Sequence, residues 1–339
     1  MKEYIKKVIE GQNLTINEAE DAMNCIMSGG VSDAQIASYL TALRIKGETV
    51  DEIIGSARGM RAKCLKLEGT GELMDIVGTG GDGSNTFNVS TVSAFVVAAA
   101  GVKVAKHGNR SVSSKCGSAD VLEALGVNLN LSKAENEKVL ETTNMCFMFA
   151  PVYHSAMKYV AHTRSEMGVR TIFNILGPFA NPAGASMQLM GVYSEKMVEP
   201  MAKVLNQLGV KKAMVVHGED GVDEVSISGK TKVCEVRSNK LKTYYIEPER
   251  LGLRCHPLSE VKGGLAEENK QIALNILKGE KGSKRDMVLI NSGVALYIAL
   301  EDKTLKECVG LAAEMIDSGK AYEKCMEFVT ATKRGGEFI

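Results

Sequence analysis

From residue 73 onward the chain repeats one unit, a short β-prone run followed by a helical pattern and then another such run. The runs are LMDIV (73–77), VKVAKH (102–107), MCFMFA (145–150), MQLMGV (187–192) and KAMVVH (212–217). Strands joined through helices come back pointing the same way, so the pattern predicts a parallel sheet. Between 223 and 246 it changes to EVSIS, TKVCEV and LKTYYI, with Gly229 and Asn239 in the gaps, which predicts a local antiparallel meander. The remainder, from about Asn269, reads as mostly helical. Open sheets of this kind take ligands at the carboxyl ends of their strands, so the loops that follow the runs are the place to look for function.

The first 65 residues read differently. A hydroxyl residue stands three positions before Glu or Gln at Thr15 and Glu18, Ser32 and Gln35, and Thr49 and Glu52. That is the signature of a capping box at a helix start. Ile36, Leu40 and Leu43 follow the second start at helical spacing, and Val50, Ile53, Ile54, Ala57 and Met60 follow the third. The expected fold class is therefore α/β, with a small all-helical N-terminal domain and a large domain built on a mainly parallel central sheet flanked by helices. The expected division is 1–70 for the helical domain, with a helical contribution from about 163–184, and 71–339 for the α/β domain.

Composition narrows the function classes. At 24% charged and 45% hydrophobic residues the chain is an ordinary globular protein, too apolar for disorder. Its formal net charge is zero, so no global field draws in a polyanion and nucleic-acid binding is not expected. Any phosphate site must be local. The eight cysteines form no CxxC pair and no Cys/His cluster, which reads as reduced structural thiols. Lys6 and Lys7 break the apolar residues of the amino terminus, so no secretory signal is expected. The longest apolar run, 92–102, falls short of the roughly 20 residues that a membrane span needs, and the expected location is the cytoplasm.

Two loops carry phosphate chemistry. The first follows LMDIV and reads Gly78-Thr79-Gly80-Gly81-Asp82-Gly83, runs on through Thr86, and meets a helix at Asn88-Val89-Ser90-Thr91. Glycines let backbone N–H groups converge on an anion, and a helix amino terminus adds more donors. Gly78, Gly80 and Gly83 also satisfy GxGxxG, but the helix starts too late, and the next run ends in Lys106-His107 where a dinucleotide site needs an acid. The second loop reads Lys106-His107-Gly108-Asn109-Arg110-Ser111-Val112-Ser113-Ser114 and continues to Ser118, combining cations, hydroxyls and glycine. Loops at the ends of consecutive strands in a right-handed βαβ unit are neighbours, so one ligand with more than one phosphate could touch both.

Two further features complete the set. Asp223-Glu224 sits in GEDGVDEV. Adjacent carboxylates in a strand point to opposite faces, so they serve one cation only in a turn, or two cations on either side. Oxygen donors near phosphates suit magnesium (Mg2+), and Ser90 could add a hydroxyl. In 154–184 the chain carries His154, Arg164, Arg170 and the turn GPFANP. A guanidinium matches a carboxylate with two parallel hydrogen bonds, so Arg164 or Arg170 could hold an acidic second substrate.

The stretches GTGGDGSNTFNVST, KHGNRSVSSKCGSAD, the Arg164 region with GPFANP, and GEDGVDEVS together resemble the anthranilate phosphoribosyltransferases, within the nucleoside phosphorylase type II fold group. The resemblance covers nearly the whole chain. It implies an enzyme that moves the phosphoribosyl group of phosphoribosyl pyrophosphate to the amine of anthranilate, in tryptophan biosynthesis. It further implies that the first loop and Lys106, His107, Gly108, Asn109, Arg110, Ser111, Val112, Ser113 and Ser114, with Ser118 helping, hold phosphoribosyl pyrophosphate. Ser90, Asp223 and Glu224 would hold magnesium, and Gly78, Asn109 and Arg164 would contact anthranilate, with His154 a further substrate-binding candidate. Arg164, Asn109 and His107 are the expected catalytic residues, His107 and His154 are the candidates for a general base, and a homodimer through the helical domain is implied. One departure is Phe179, where the family more often has Leu. The rival readings are a pyrimidine-nucleoside phosphorylase, which generally carries an extra carboxyl-terminal domain and has no use for Asp223-Glu224, and a non-catalytic nucleic-acid-binding relative, which should be basic with eroded loops.

Overall fold

The structure, a computed structural model, describes residues 1–68, 71–111 and 115–336, so the expected phosphate residues Val112, Ser113 and Ser114 lie outside the described residues. Four helices open the chain: α1 (Lys2–Ile9), α2 (Ile16–Met27), α3 (Asp33–Lys46) and α4 (Val50–Ala62). Thr15 and Glu18, and Thr49 and Glu52, form reciprocal capping boxes. At Ser32 the bond is one-sided, with the hydroxyl accepting from Gln35 N. Helix α1, which starts at Met1 without a side-chain cap, is an addition to the three expected starts.

Helices α2 and α4 meet at Gly55 and Gly59. A Cβ on Gly55 would lie 2.2 Å from the Ile16 carbonyl oxygen, and one on Gly59 2.8 Å from Met23 Cβ, so only glycine permits this approach. Glu52 is fully buried beside the crossing. Its carboxylate accepts from Leu14 N at 2.9 Å, Thr49 N at 2.8 Å and Lys46 Nζ at 2.9 Å, so three elements close on one charge that has lost its water.

The sheet has seven strands: β1 (Met74–Gly78), β2 (Val104–Gly108), β3 (Met145–Phe149), β4 (Met187–Gly191), β5 (Lys212–Gly218), β6 (Thr231–Arg237) and β7 (Lys240–Ile246). Their order is β3-β2-β1-β4-β5-β6-β7, parallel from β3 to β5 and antiparallel from β5 to β7. The direction of winding reverses between β1 and β4, which opens a crevice at their carboxyl ends. EVSIS is not a strand. Its apolar alternation is real, because Val225 and Ile227 are buried, but a side chain replaces the ladder. Asn291 accepts from Val225 N and donates to Val225 O, each at 2.9 Å.

Alternation along β5 divides two cores. Met214 and Val216 join the core of the helix α5 (Val89–Ala99) and the carboxyl-terminal helices, while Ala213 and Val215 join the core of helices α1 to α4 through the intervening helix Val198–Gln207. Val160, Ile172, Phe173, Leu176 and Phe179 pack into that second core with the first four helices. Phe179, the residue that departs from the family pattern, is fully buried there, and its carbonyl accepts from Arg61 Nε of α4 at 2.5 Å. Among the described residues no helix is long and apolar enough to cross a membrane.

Removing the Glu52 carboxylate leaves the largely buried Lys46 ammonium with only the neutral acceptors Asn13 Oδ1 and Gly47 O. We expect Glu52→Ala to cost about 3 kcal/mol, read as a lowered urea midpoint, and an unchanged midpoint would show that the pair contributes nothing.

Candidate active site

Strands β1, β2, β4 and β5 all end in glycine, at Gly78, Gly108, Gly191 and Gly218. The loop after β5 crosses the end of β4 to reach β1, and it runs so close that a Cβ on Gly191 would sit 1.5 Å from the Asp223 carbonyl oxygen. A Cβ on Gly78 would sit 2.4 Å from Asp223 Oδ2. With both absent, Asp223 Oδ2 accepts from Gly80 N at 2.6 Å, and Asp223 N donates to Asp82 Oδ2 at 3.3 Å. Gly80, Gly81 and Gly83 all have positive φ, which curls the first loop over this contact.

Glu224 accepts from the Ser90 backbone at the start of α5, so Ser90, Asp82, Asp223 and Glu224 gather in one place. Burial pushes both Asp223 and Glu224 above the usual carboxylate range; for Asp223 repulsion from Asp82 adds to it, and for Glu224 repulsion from Asp223. The nearest cation is Lys106, only 2% exposed, whose Nζ donates to Ile76 O at 2.5 Å and to Ser90 Oγ at 3.2 Å. Burial lowers its pKa, while Asp75 and Glu224 oppose that shift. Crowded carboxylates beside a hydroxyl make a hard oxygen donor set that a divalent cation would relieve, and they fit magnesium. Among the described residues no three Asp, Glu, His or Cys side chains form a complete cage, and magnesium that shares its shell with phosphate and water needs none.

The second loop runs beside the first because β2 pairs with β1. Ser118 Oγ donates to the Asn109 carbonyl at 3.3 Å, under a Gly108 whose Cβ would lie 2.2 Å from that hydroxyl. Asn109 Oδ1 accepts from Arg110 N at 2.8 Å. Arg110 is already matched: its guanidinium pairs with Asp120 at 3.1 Å and Glu123 at 2.8 Å, on the side away from the first loop. Asp120 also accepts from Ser111 N at 3.0 Å and Gly117 N at 2.8 Å, which fixes both ends of the loop.

His107, near the end of β2, and His154 lie together beside the second loop. The imidazoles meet at a tilt of 56° with centroids 5.0 Å apart, and each bonds the GPFANP turn, His107 at the Gly177 backbone and His154 at the Ala180 backbone. Burial lowers His107 to about 3, with His154 and Lys106 adding to the effect, and lowers His154 to about 4. Both are neutral at pH 7, and both leave Nε2 buried without a partner. Arg164 lies over the Phe173 ring at 5.2 Å, with no hydrogen-bond or ion-pair partner for its guanidinium among the described residues. Arg170 is spent differently, donating to the Gly81 carbonyl and stacking on Tyr193 at 4.5 Å. Of the two arginines that could receive a carboxylate, Arg170 is held on the first loop, and Arg164 has its whole guanidinium without a hydrogen-bond partner among the described residues.

Comparison with known proteins decides the family. Residues 70–322 match the glycosyl transferase family, a/b domain, and residues 2–64 match the glycosyl transferase family, helical bundle domain. The chain is 56% identical over 332 residues to anthranilate phosphoribosyltransferase of Endomicrobium trichonymphae, covering 98% of this chain and 99% of the relative. The chain belongs to the anthranilate phosphoribosyltransferase family. The crystal structure of anthranilate phosphoribosyltransferase from Thermus thermophilus superposes with a TM-score of 0.93 at 44% identity, covering 97% of this chain and 99% of that one. The Saccharomyces cerevisiae enzyme in complex with PRPP and Mg superposes with a TM-score of 0.91 at 29% identity, covering 98% and 97%.

An anthranilate phosphoribosyltransferase relationship over almost the whole length displaces the phosphorylase and nucleic-acid-binding readings. Sequence reasoning passed over the segment 261–269, which lies along the first loop. Thr86 bridges Lys262, Gly263 N donates to Asn85 O at 2.9 Å, and Lys262 Nζ donates to Ser84 O. The only local signal was Lys262-Gly263-Gly264 ahead of a helix.

Because the added Cβ would meet backbone, the loop after β5 must move in Gly191→Ala. We expect a stability loss of roughly 1–3 kcal/mol and a raised magnesium requirement for activity. A metal titration matching the parent would show that the approach over β4 does not govern Asp223.

Proposed function

We propose that this enzyme transfers the 5-phosphoribosyl group of phosphoribosyl pyrophosphate to the amine of anthranilate, giving N-(5-phosphoribosyl)anthranilate and pyrophosphate, a step of tryptophan biosynthesis. The observation that carries the reading is the convergence of three strand-end loops, with Asp223 Oδ2 2.6 Å from Gly80 N and Lys106 2% exposed beneath them. We assign the phosphoribosyl pyrophosphate contacts to Gly78, Gly80, Gly81, Asp82, Thr86, Asn88, Val89, Ser90, Thr91 and the residues of the second loop through Ser118. Asn109, His107, His154 and Arg164 are assigned to the anthranilate side.

Ser90, Asp223 and Glu224 would hold magnesium, which when bound neutralises the departing diphosphate. Backbone N–H groups of the glycine loop supply fixed donors for the same charge, and they need no reorganisation as it develops. The aromatic amine is neutral at physiological pH, so the protein has only to align it with the anomeric carbon. Arg164 does this by pairing with the anthranilate carboxylate. The neutral imidazoles of His107 and His154 offer Nε2 as an acceptor for an amine N–H. Their low pKa values keep that acceptor free well below pH 7.

We also propose a homodimer through the helical domain and a cytoplasmic location. Support for the first is an apolar groove between α1 and α3 lined by Ile5, Ile9 and Ala34, with Ile9 67% and Ile45 82% exposed. Support for the second is that all eight cysteines are free.

Anthranilate fluorescence should decay only when phosphoribosyl pyrophosphate and magnesium are both present, and undiminished fluorescence under those conditions would defeat the reading. Arg164→Ala should raise the anthranilate KM about tenfold or more while leaving the phosphoribosyl pyrophosphate KM within about twofold, as expected for loss of a charge-assisted pair. Equal losses for both substrates in steady-state kinetics would remove Arg164 from that role.

A further inference from the structure

Asn88 is the N-cap of α5, where an Asn side chain ordinarily folds back to accept a bond from the helix's own first turn. It makes no such bond. Its amide is held from both sides instead: Nδ2 donates to the Cys116 carbonyl at 3.1 Å, and Oδ1 accepts from Asn269 Nδ2 at 2.9 Å. Asn269, on the helix Ala266–Leu277, is 3% exposed, and its Oδ1 accepts from Gly264 N at 2.8 Å. Donor and acceptor are therefore both committed, which fixes the orientation of the Asn269 amide. The segment before it is pressed against the first loop, since a Cβ on Gly263 would lie 2.6 Å from Phe87 Cα.

The first N–H groups of α5 have other acceptors: Val89 N donates to Phe87 O at 2.7 Å and Thr91 N to Asn88 O at 3.1 Å, while Ser90 N–H faces the Glu224 carboxylate. The Asn88 side chain is therefore not needed as a cap. It links the start of α5 to Cys116 at the foot of the second loop instead, beside the positive end of the helix dipole that an anion favours.

Resting on the function proposed above, we infer that Asn269 is a positioning residue for the phosphoribosyl pyrophosphate site, holding the Asn88 amide off the first turn of α5 and tying the two phosphate loops together. Its donor acts through Asn88, and its acceptor holds Gly264 in the segment beside the first loop.

The test is binding of phosphoribosyl pyrophosphate with magnesium by calorimetry, alongside steady-state kinetics, for the parent, Asn269→Ala and Asn269→Asp. The Asp variant keeps the acceptor for Gly264 N and loses the donor to Asn88. Whichever way the Asn88 amide then turns, one of its two bonds is lost. Both variants should weaken phosphoribosyl pyrophosphate binding about three- to tenfold and leave kcat and the anthranilate KM within about twofold, a split that a general loss of structure would not give. In a cycle of Asn269→Asp with Asn88→Ala, the double variant should bind no more weakly than Asn88→Ala alone. Parent-like binding in Asn269→Asp, or additive losses in the cycle, would overturn the inference while leaving the function standing. A parent that binds no phosphoribosyl pyrophosphate would overturn both.

Discussion

Asp223 reaches the backbone of Gly80 because Gly78 and Gly191, at the ends of β1 and β4, carry no Cβ to stop it. That approach spans the point where the winding of the sheet reverses, and it draws the loop after β5 over the crevice. Much of the site's electrostatics follows from it. Once Asp223 is anchored, Asp82 and Glu224 are its neighbours, water is largely excluded, and Glu224 alone of the three carboxylates is offset by the buried Lys106. Such crowding is costly in the free protein, and a divalent cation with a phosphorylated ligand is the chemistry that relieves it. The overall neutrality of the chain is compatible with this because the imbalance is confined to a few ångströms.

The two halves of the site solve opposite problems. On the diphosphate side charge must be gathered and neutralised, so donors are backbone N–H groups and oxygen ligands. On the proposed amine side charge would have to be kept away from the nitrogen that attacks, and burial holds His107 and His154 neutral while the GPFANP turn fixes their orientation. Arg164 would supply a guanidinium that has no ion-pair partner among the described residues, from a helix that packs with α2 and α3.

What could be read from sequence was local chemistry. The glycine loop announces itself because positive φ and close approach leave few alternatives to glycine, and Thr15 and Thr49 announce helix starts because a capping box closes within four residues. What could not be read was set by partners far along the chain. EVSIS has the alternation of a strand, but Asn291 takes its hydrogen bonds, and no period in the sequence encodes a side chain 66 positions away. Arg164 and Arg170 were equivalent until folding spent Arg170 on Gly81. Arg110 looked like a phosphate ligand from its neighbours, and Asp120 and Glu123 on the following helix claim it.

The spending of Arg170 has a consequence for how the substrates meet. Five residues separate it from Arg164, and the short segment between them leaves a helix packed with the second core to end on the carbonyl of the glycine loop. Arg61 ties the same core to the GPFANP turn through the Phe179 carbonyl, and that turn orients both imidazoles. Groups that would grip the aromatic acid are thus referenced mechanically to the loop that would grip the diphosphate, by two arginines that need not touch either substrate. In-line attack tolerates little misplacement, and a shift of about 1 Å far from the reacting atoms can cost two orders of magnitude in rate. Alignment of amine and anomeric carbon therefore depends as much on the packing between the helical core and the strand ends as on any residue within the crevice.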